Sequence, residues 1–277
     1  MIGILERDTR SGIHVLELDY IADPGKRSPE WEADARRGLS KRDWEREYKR
    51  NWTVAAGLGV YSDTFDREMH VAKSSLSVYS DRPILRGFDF GLTPACVFAQ
   101  TDPQGRINVL AEVVTWSGRG DATQMGIEQF CPVVQMRTNQ DYAKMQYRDW
   151  ADPAGWQKAQ TDEKTCVQIM AQAGFHPAPG PVTFTARRRA VNDLLGRLIG
   201  GRAGLMIDPS CRMLIEGFGG KYGYDRIGQT GEYRDTVDKN AWSHPMNALE
   251  YIVGALFVPQ AGVRRAVVKD GWGEGYA

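Results

Sequence analysis

The 277 residues include 35 acidic and 35 basic side chains, a formal net charge of zero, with 42% hydrophobic and 25% charged residues. One or two folded globular domains with a sizeable core are expected from these values, and zero net charge means that any nucleic-acid binding must rest on a local basic patch. No apolar run approaches the roughly 18 residues that a membrane-spanning helix needs, and the N-terminus MIGILERDTR is charged where a signal peptide would be apolar, so no membrane association or export is expected. Cys96, Cys131, Cys166 and Cys211 are far apart and form no CxxC pair, which reads as buried free thiols in a reducing compartment.

In chain order, ILERDTRSGIHVLELDY has apolar residues on both sides of a Ser11-Gly12 turn and predicts a hairpin. SPEWEADARRG predicts a helix with Ser28 as N-cap, Pro29 in the first turn and Gly38 as the stop, and Ser40 opens a second helix over KRDWEREYKR. Trp31, Trp44 and Tyr48 are the large apolar anchors of this part, which is expected to pack against another element. After Pro83 the pattern changes to three sequential antiparallel strands, ILRGFDFG, PACVFAQ and RINVLAEVVTW, joined by Gly91-Leu92-Thr93 and by Asp102-Pro103-Gln104-Gly105. A helical stretch broken at Pro132, a strand in KMQYRDWAD and a helix from Thr161 to Gly174 follow. TARRRAVNDLLGRLIGG places Val191, Leu194, Leu195, Leu198 and Ile199 at helical spacing. SHPMNALEYIVGAL does the same with Leu249, Ile252, Val253 and Leu256, with Ser243 as N-cap. The sum is α/β: one mixed sheet from about Pro83 to Leu256, three antiparallel strands first, with helices on both faces.

Asp89 sits in the apolar run GFDFGLTPACVFAQ, where an unpaired carboxylate would cost several kcal/mol, so it must be hydrogen-bonded, neutralised or bound to a cation. Three readings fit it: a cap on the following turn, the D-x-G-x-T phosphate loop of actin-like and sugar kinases, or the first metal ligand of a ribonuclease-H-like nuclease. Asp152, in DWADPAG, ends another apolar run at a proline that cannot continue a central strand. It is either an Asp-Pro turn starter or an acid at the strand ends where ligands gather in open α/β sheets. The kinase reading requires a second glycine-rich phosphate loop, of which DPAG is a poor version.

The ordered set EREYKRNWTVAAGLGVYSDTF, GFDFGLTPA, DPAG, RRRAVNDLL, GLMIDPSC, GGKYGY and DKNAWSHPMNALEY resembles the C-terminal nuclease domain of the large terminase subunit of tailed bacteriophages and prophages. The resemblance implies a ribonuclease-H-like nuclease domain over residues 81–260, a remnant of the motor-proximal region over 1–80 and a C-terminal tail over 261–277. The activity implied is metal-dependent endonucleolytic cutting of concatemeric double-stranded DNA during packaging. The partners implied are the terminase ATPase half, the small terminase subunit and the portal, in the cytoplasm of a bacterial host and transiently at the procapsid portal. No GxxxxGK[ST] loop occurs in these residues.

Matched to the family, Asp89 is the first metal-binding acid and Asp152 the second. The family's SHPxDALxY reads SHPMNALEY here, so Asn247 stands at the third acid and offers a neutral oxygen to Mg²⁺ or Mn²⁺ in place of a charge. Glu250, at i+3, is either a substitute ligand or a solvent-facing residue. The resemblance therefore implies either a working nuclease with a weak second cation position or a crippled packaging or interaction module. Arg187, Arg188 and Arg189, all expected to avoid the apolar stripe of their helix, form a phosphate-binding row or a solvated face. Lys221 and Arg226 are candidates on a hairpin that reaches the duplex, and His244 either positions water or substrate or is structural. Glu112 on the third strand is a further acid with no assigned part.

Overall fold

The computed structural model describes residues 3–8, 12–37, 44, 48–49, 59–91, 93–115, 123–158, 164–227 and 233–258. The expected helix after Ser40 falls almost entirely outside them, and the 261–277 tail wholly so. The expected N-terminal hairpin forms from β1 (Ile4–Asp8) and β2 (His14–Leu18), with Ile4 opposite Leu18. Helix α1 (Pro29–Ala35) starts as predicted, the Trp31 amide donating to Ser28 Oγ at 3.1 Å. Trp31, Trp44 and Tyr48 pack, as expected, against another element: Tyr20 of the preceding segment joins them in an aromatic cluster, Trp44 stacked on Tyr48 at 4.5 Å.

Asp66 caps the short helix α2 (Arg67–His70), and the segment around it is built into the main core: Tyr61 is buried there and Val71 bridges to Ile207. Strands β3 (Ile84–Asp89), β4 (Ala95–Thr101) and β5 (Ile107–Val114) form the predicted antiparallel meander. The β4–β5 connection closes as a β-turn in which the Gly105 amide donates to the Asp102 carbonyl at 3.0 Å. Then come α3 (Ile127–Tyr142), β6 (Tyr147–Ala151), α4 (Cys166–Gln172), β7 (Ala178–Pro179), α5 (Phe184–Leu195), β8 (Leu198–Ile199), β9 (Arg202–Ala203), β10 (Leu205–Ile207), α6 (Arg212–Glu216), β11 (Tyr224–Arg226), β12 (Tyr233–Val237) and α7 (Ser243–Phe257). The central sheet runs β10-β5-β4-β3-β6-β7, with β6 and β7 parallel to β3 and β10 parallel to β5.

Side chains alternate across the sheet. On β3, Ile84 and Phe88 join α3 and α4 in one core, while Leu85 joins α5, α6 and α7 in the other. By the same alternation Gly87 and Asp89 point toward α7. The glycine at 87 is required there: a Cβ would stand 1.9 Å from the Ala248 carbonyl oxygen, so its absence lets α7 lie directly on β3. On the opposite face, Arg86 is buried and satisfied by two 2.8 Å bonds to Asp149.

Four local expectations are corrected. Helix α3 runs through Pro132, whose missing amide deprives only the Glu128 carbonyl, in an exposed first turn. Helix α4 begins at Cys166, because Thr165 and Gln168 form a capping box there. Helix α5 stops at Leu195, and Leu198 and Ile199 instead pair with Ala203 and Arg202 around two glycines of positive φ. Ser243 is the first residue of α7 and not its cap; its hydroxyl donates to the Asn240 carbonyl at 2.7 Å.

Candidate active site

Strands β3 and β6 are parallel neighbours, so their C-terminal ends lie side by side, and the chain leaves them at Asp89 and Asp152. The Asp152 amide extends this pairing by donating to the Phe88 carbonyl at 3.0 Å. Helix α7 crosses above with its first turns over the same end. His244 Nδ1 lies 2.6 Å from Asp89 Oδ2, and an ionised Asp89 accepts from Nδ1–H. A Cβ at position 91 would lie 2.7 Å from His244 Cε1, so Gly91 makes room for this ring beside the turn after Asp89.

Asp89 is almost completely buried, and burial, helped by nearby Asp152, pushes its carboxyl up to about 6 against the opposing pull of His244. Asp152 is half-buried and also opens the following turn, Oδ1 accepting from the Ala154 amide at 3.0 Å. Asp152 is thus a turn starter, as one of its two readings had it, and it stands at the strand end beside Asp89. Burial, together with the nearby Asp89 and Asp152 charges, drives the Tyr251 phenol above its ordinary range. Asn247, one turn after His244, accepts from the Tyr222 hydroxyl through Oδ1 at 3.2 Å.

Two assignments are overturned. Glu250 is neither solvent-facing nor free to act as a ligand: it is fully buried, accepting from Tyr61 at 2.7 Å and from Arg187 Nε at 3.3 Å. Burial pushes its carboxyl up, and the Arg187 guanidinium with the Tyr61 and Tyr222 hydroxyls opposes this. Arg187 is likewise lost to a DNA-binding row. It is buried against Glu250, donates to the Pro181 and Val182 carbonyls, and lies 4.6 Å over the Tyr251 ring. The three successive arginines fan around α5, so one faces inward: Arg188 is half-buried over Tyr224 and Arg189 is exposed. Lys221 lies over Trp242 at 4.5 Å and 3.8 Å from Glu216, at the base of the β11–β12 hairpin. That hairpin exists as expected; its tip and the Arg226 side chain lie outside the described residues. Glu112 has a structural task, accepting from the Met213 and Leu214 amides at the start of α6.

Among the described residues no group of three or more His, Cys, Asp and Glu side chains is placed to hold a metal ion. The third position is an amide. Asp89, Asp152 and Asn247 are nevertheless all oxygen donors, the type hard divalent cations take. Asp89 and Asp152 are a carboxylate pair, one of them buried, with an imidazole as partner, a combination that a cation would relieve. A cavity of about 620 Å³ lined by Phe90, Pro94, Ile127 and Lys164 contains neither acid. Tyr61, Tyr222 and Tyr251 were not singled out from sequence as site residues; only the position of Tyr251, one turn beyond Asn247, hinted at one of them.

A mixed sheet led by three antiparallel strands, with helices on both faces, defines a ribonuclease-H-like fold. More narrowly, this is the fold of large-terminase nuclease domains. The large terminase of the thermophilic bacteriophage D6E matches with a TM-score of 0.54 at 17% identity, over 83% of this chain and 52% of that one. The same terminase in complex with ADP gives 0.55 at 16%, over 87% and 55%. The P22 large terminase nuclease domain gives 0.53 at 14%, over 72% of this chain and 92% of that domain. The chain thus spans about half the length of the D6E structures. No protein-family model matches the sequence, and no curated protein matches it by sequence.

Proposed function

We propose that this chain acts as the nuclease part of a phage large terminase, cutting concatemeric double-stranded DNA with the help of Mg²⁺ or Mn²⁺. The observation that supports this reading best is the convergence of Asp89 and Asp152, from adjacent parallel strands, under the turn of α7 that carries His244 and Asn247. Asp89, Asp152 and the Asn247 amide oxygen are the residues that would hold the cations. Bound there, paired divalent cations would stabilise the attacking and leaving oxygens of phosphodiester hydrolysis. His244 orients the Asp89 carboxylate from α7. With Asn247 in place of a third charge, one cation position is weak and cutting is slow.

Arg188, Arg189 and Lys221 are the side chains proposed to meet the DNA backbone; Arg187 is not among them. The ATPase half, the small subunit and the portal are the proposed partners, with action in the host cytoplasm and at the procapsid portal. The test is plasmid cutting in Mn²⁺: slow conversion of supercoiled DNA by the parent, none by Asp89→Asn or Asp152→Asn, and faster cutting by Asn247→Asp. Equal cutting by the parent and Asp89→Asn would reject the nuclease reading. The Asn247 position favours a second reading, a packaging module that binds DNA without cutting it; undetectable cutting by both the parent and Asn247→Asp would select it.

A further inference from the structure

The cavity of about 620 Å³ lies against the same end of β3 as the two acids, but on the other face of the sheet. Asp89 turns toward α7, whereas the next side chain, Phe90, packs with the core under α3 and α4 and forms one wall of the cavity. Gly91 belongs to both places: it lines the cavity, and a Cβ there would meet His244 Cε1 at 2.7 Å. Consecutive Cα atoms are about 3.8 Å apart, so Gly91 is at most about 7.6 Å from Asp89. A DNA strand held at the acids would cross the end of β3 where no side chain projects, and would reach the cavity within the span of a nucleotide.

The lining has the chemistry of a nucleotide site. Phe90 offers an aromatic surface, and its ring is braced: a Cβ at Gly155, in the turn that Asp152 opens, would stand 2.1 Å from Phe90 Cε2. Lys164 brings an exposed ammonium whose hydrogen-bond partner, Gln172 Oε1 at 3.2 Å, is a neutral amide. Glu128 and Gln129, exposed at the start of α3, bring acceptors, and Gln129 donors too, the groups that read the edge of a base. A bare phosphate would be attracted by Lys164 and repelled by Glu128, whereas a nucleotide carries N–H donors on its base as well as an anionic phosphate and satisfies both. The volume is that of ordinary small-ligand sites. We propose that this cavity receives the base of a nucleotide adjoining the scissile phosphate, stacked on Phe90, with Lys164 on the backbone phosphate of that nucleotide. This rests on the nuclease reading and gives the strand a course beyond the cut. A base in a duplex must leave its stack to enter, which is easiest where it is unpaired, so a single strand is the probe.

Cys166 lines the same cavity and is half-buried, while Cys96, Cys131 and Cys211 are buried, so its thiol reports on the occupant. The whole chain is alkylated with iodoacetamide in EDTA, which prevents cutting, with and without a saturating short single-stranded oligonucleotide, and peptide mass spectrometry reads the rate at each cysteine. The strand should slow alkylation of Cys166 by about fivefold or more, since the reaction requires access to the thiol. Phe90→Leu should weaken binding of the strand, read by fluorescence anisotropy, by about tenfold, the worth of one stacked base. Lys164→Ala should lower the slope of log affinity against log salt by about 0.7, one phosphate on a single strand. Lys164 is exposed, so this variant tests the proposal even if Phe90→Leu fails to fold. Failure to bind the strand, alkylation of Cys166 that the bound strand does not slow, equal protection by an abasic strand of the same length, or a salt slope that Lys164→Ala leaves unchanged would each overturn it. Any of these, with Mn²⁺-dependent cutting still abolished by Asp89→Asn, leaves the nuclease reading standing. Equal cutting by the parent and Asp89→Asn removes both.

Discussion

Replacing Gly87 by Ala should both destabilise the protein and separate the two halves of the candidate site. The added Cβ would lie 1.9 Å from the Ala248 carbonyl oxygen and 2.8 Å from Ile252 Cγ1, where real Cβ contacts stay beyond about 3 Å. The obstructing oxygen belongs to the backbone of α7 and cannot swing away, so α7 must rise from β3 by about 1 Å or more. Overpacking of this kind costs about 3 kcal/mol, a fall of roughly 6–12 °C in Tm for a chain of this size. The same displacement would carry His244 and Asn247 away from Asp89, and misplacement by about 1 Å lowers turnover by about a hundredfold. Calorimetry alongside a plasmid-cutting assay measures both effects. Gly105→Ala is the control: φ is +86° there but nothing lies within 4 Å, so its cost should be only about 1 kcal/mol. A Gly87→Ala protein melting within about 2 °C of the parent would refute the claim that close approach of α7 to β3 requires this glycine.

The three adjacent arginines should behave differently. Arg187→Ala strips Glu250 of its buried partner and should cost roughly 3–5 kcal/mol in urea denaturation. Arg188→Ala with Arg189→Ala should barely alter stability but should lower DNA affinity and reduce the salt slope by about 2. In cation-free buffer Asp89→Asn should stabilise the protein at pH 8, because the buried carboxyl has its pKa raised from 3.8 to about 6. The folded state then binds the proton more tightly than the unfolded one, so the parent gains stability as pH falls from about 6 to about 4. The difference between the two, on the order of 2–3 kcal/mol at high pH, should vanish below that window in a pH series of thermal melts. Glu112→Gln leaves one of two α6 amides without an acceptor and should cost about 1–3 kcal/mol, seen as a lower urea midpoint.

The sequence by itself determined the hairpin, the antiparallel meander, α1, the apolar stripe of α7 and the two acids. Each of these is written in local terms: a turn signal, a cap, a period of 2 or 3.6, or a charge in an apolar run. The ordered motifs also pointed to the fold that large-terminase structures share. Where the helices begin and end was less legible. Leu198 and Ile199 continue a helical spacing, yet α5 stops before them, since glycines at 200 and 201 allow a turn that pairs them as a strand. The partners of charged residues were not legible at all. Arg187, Arg188 and Arg189 are identical in sequence terms, and Glu250 looks like any residue on an amphipathic helix. Only the packing of α5 against α7 decides that Arg187 and Glu250 face each other in the core, 63 positions apart, while Arg189 remains exposed. Likewise, Asp89 and His244 are 155 positions apart, and their 2.6 Å contact exists because Gly87 lets α7 lie directly on β3. Local rules do not reach such distances, because long-range contacts are set by the shape of the closed core and not by spacing along the chain.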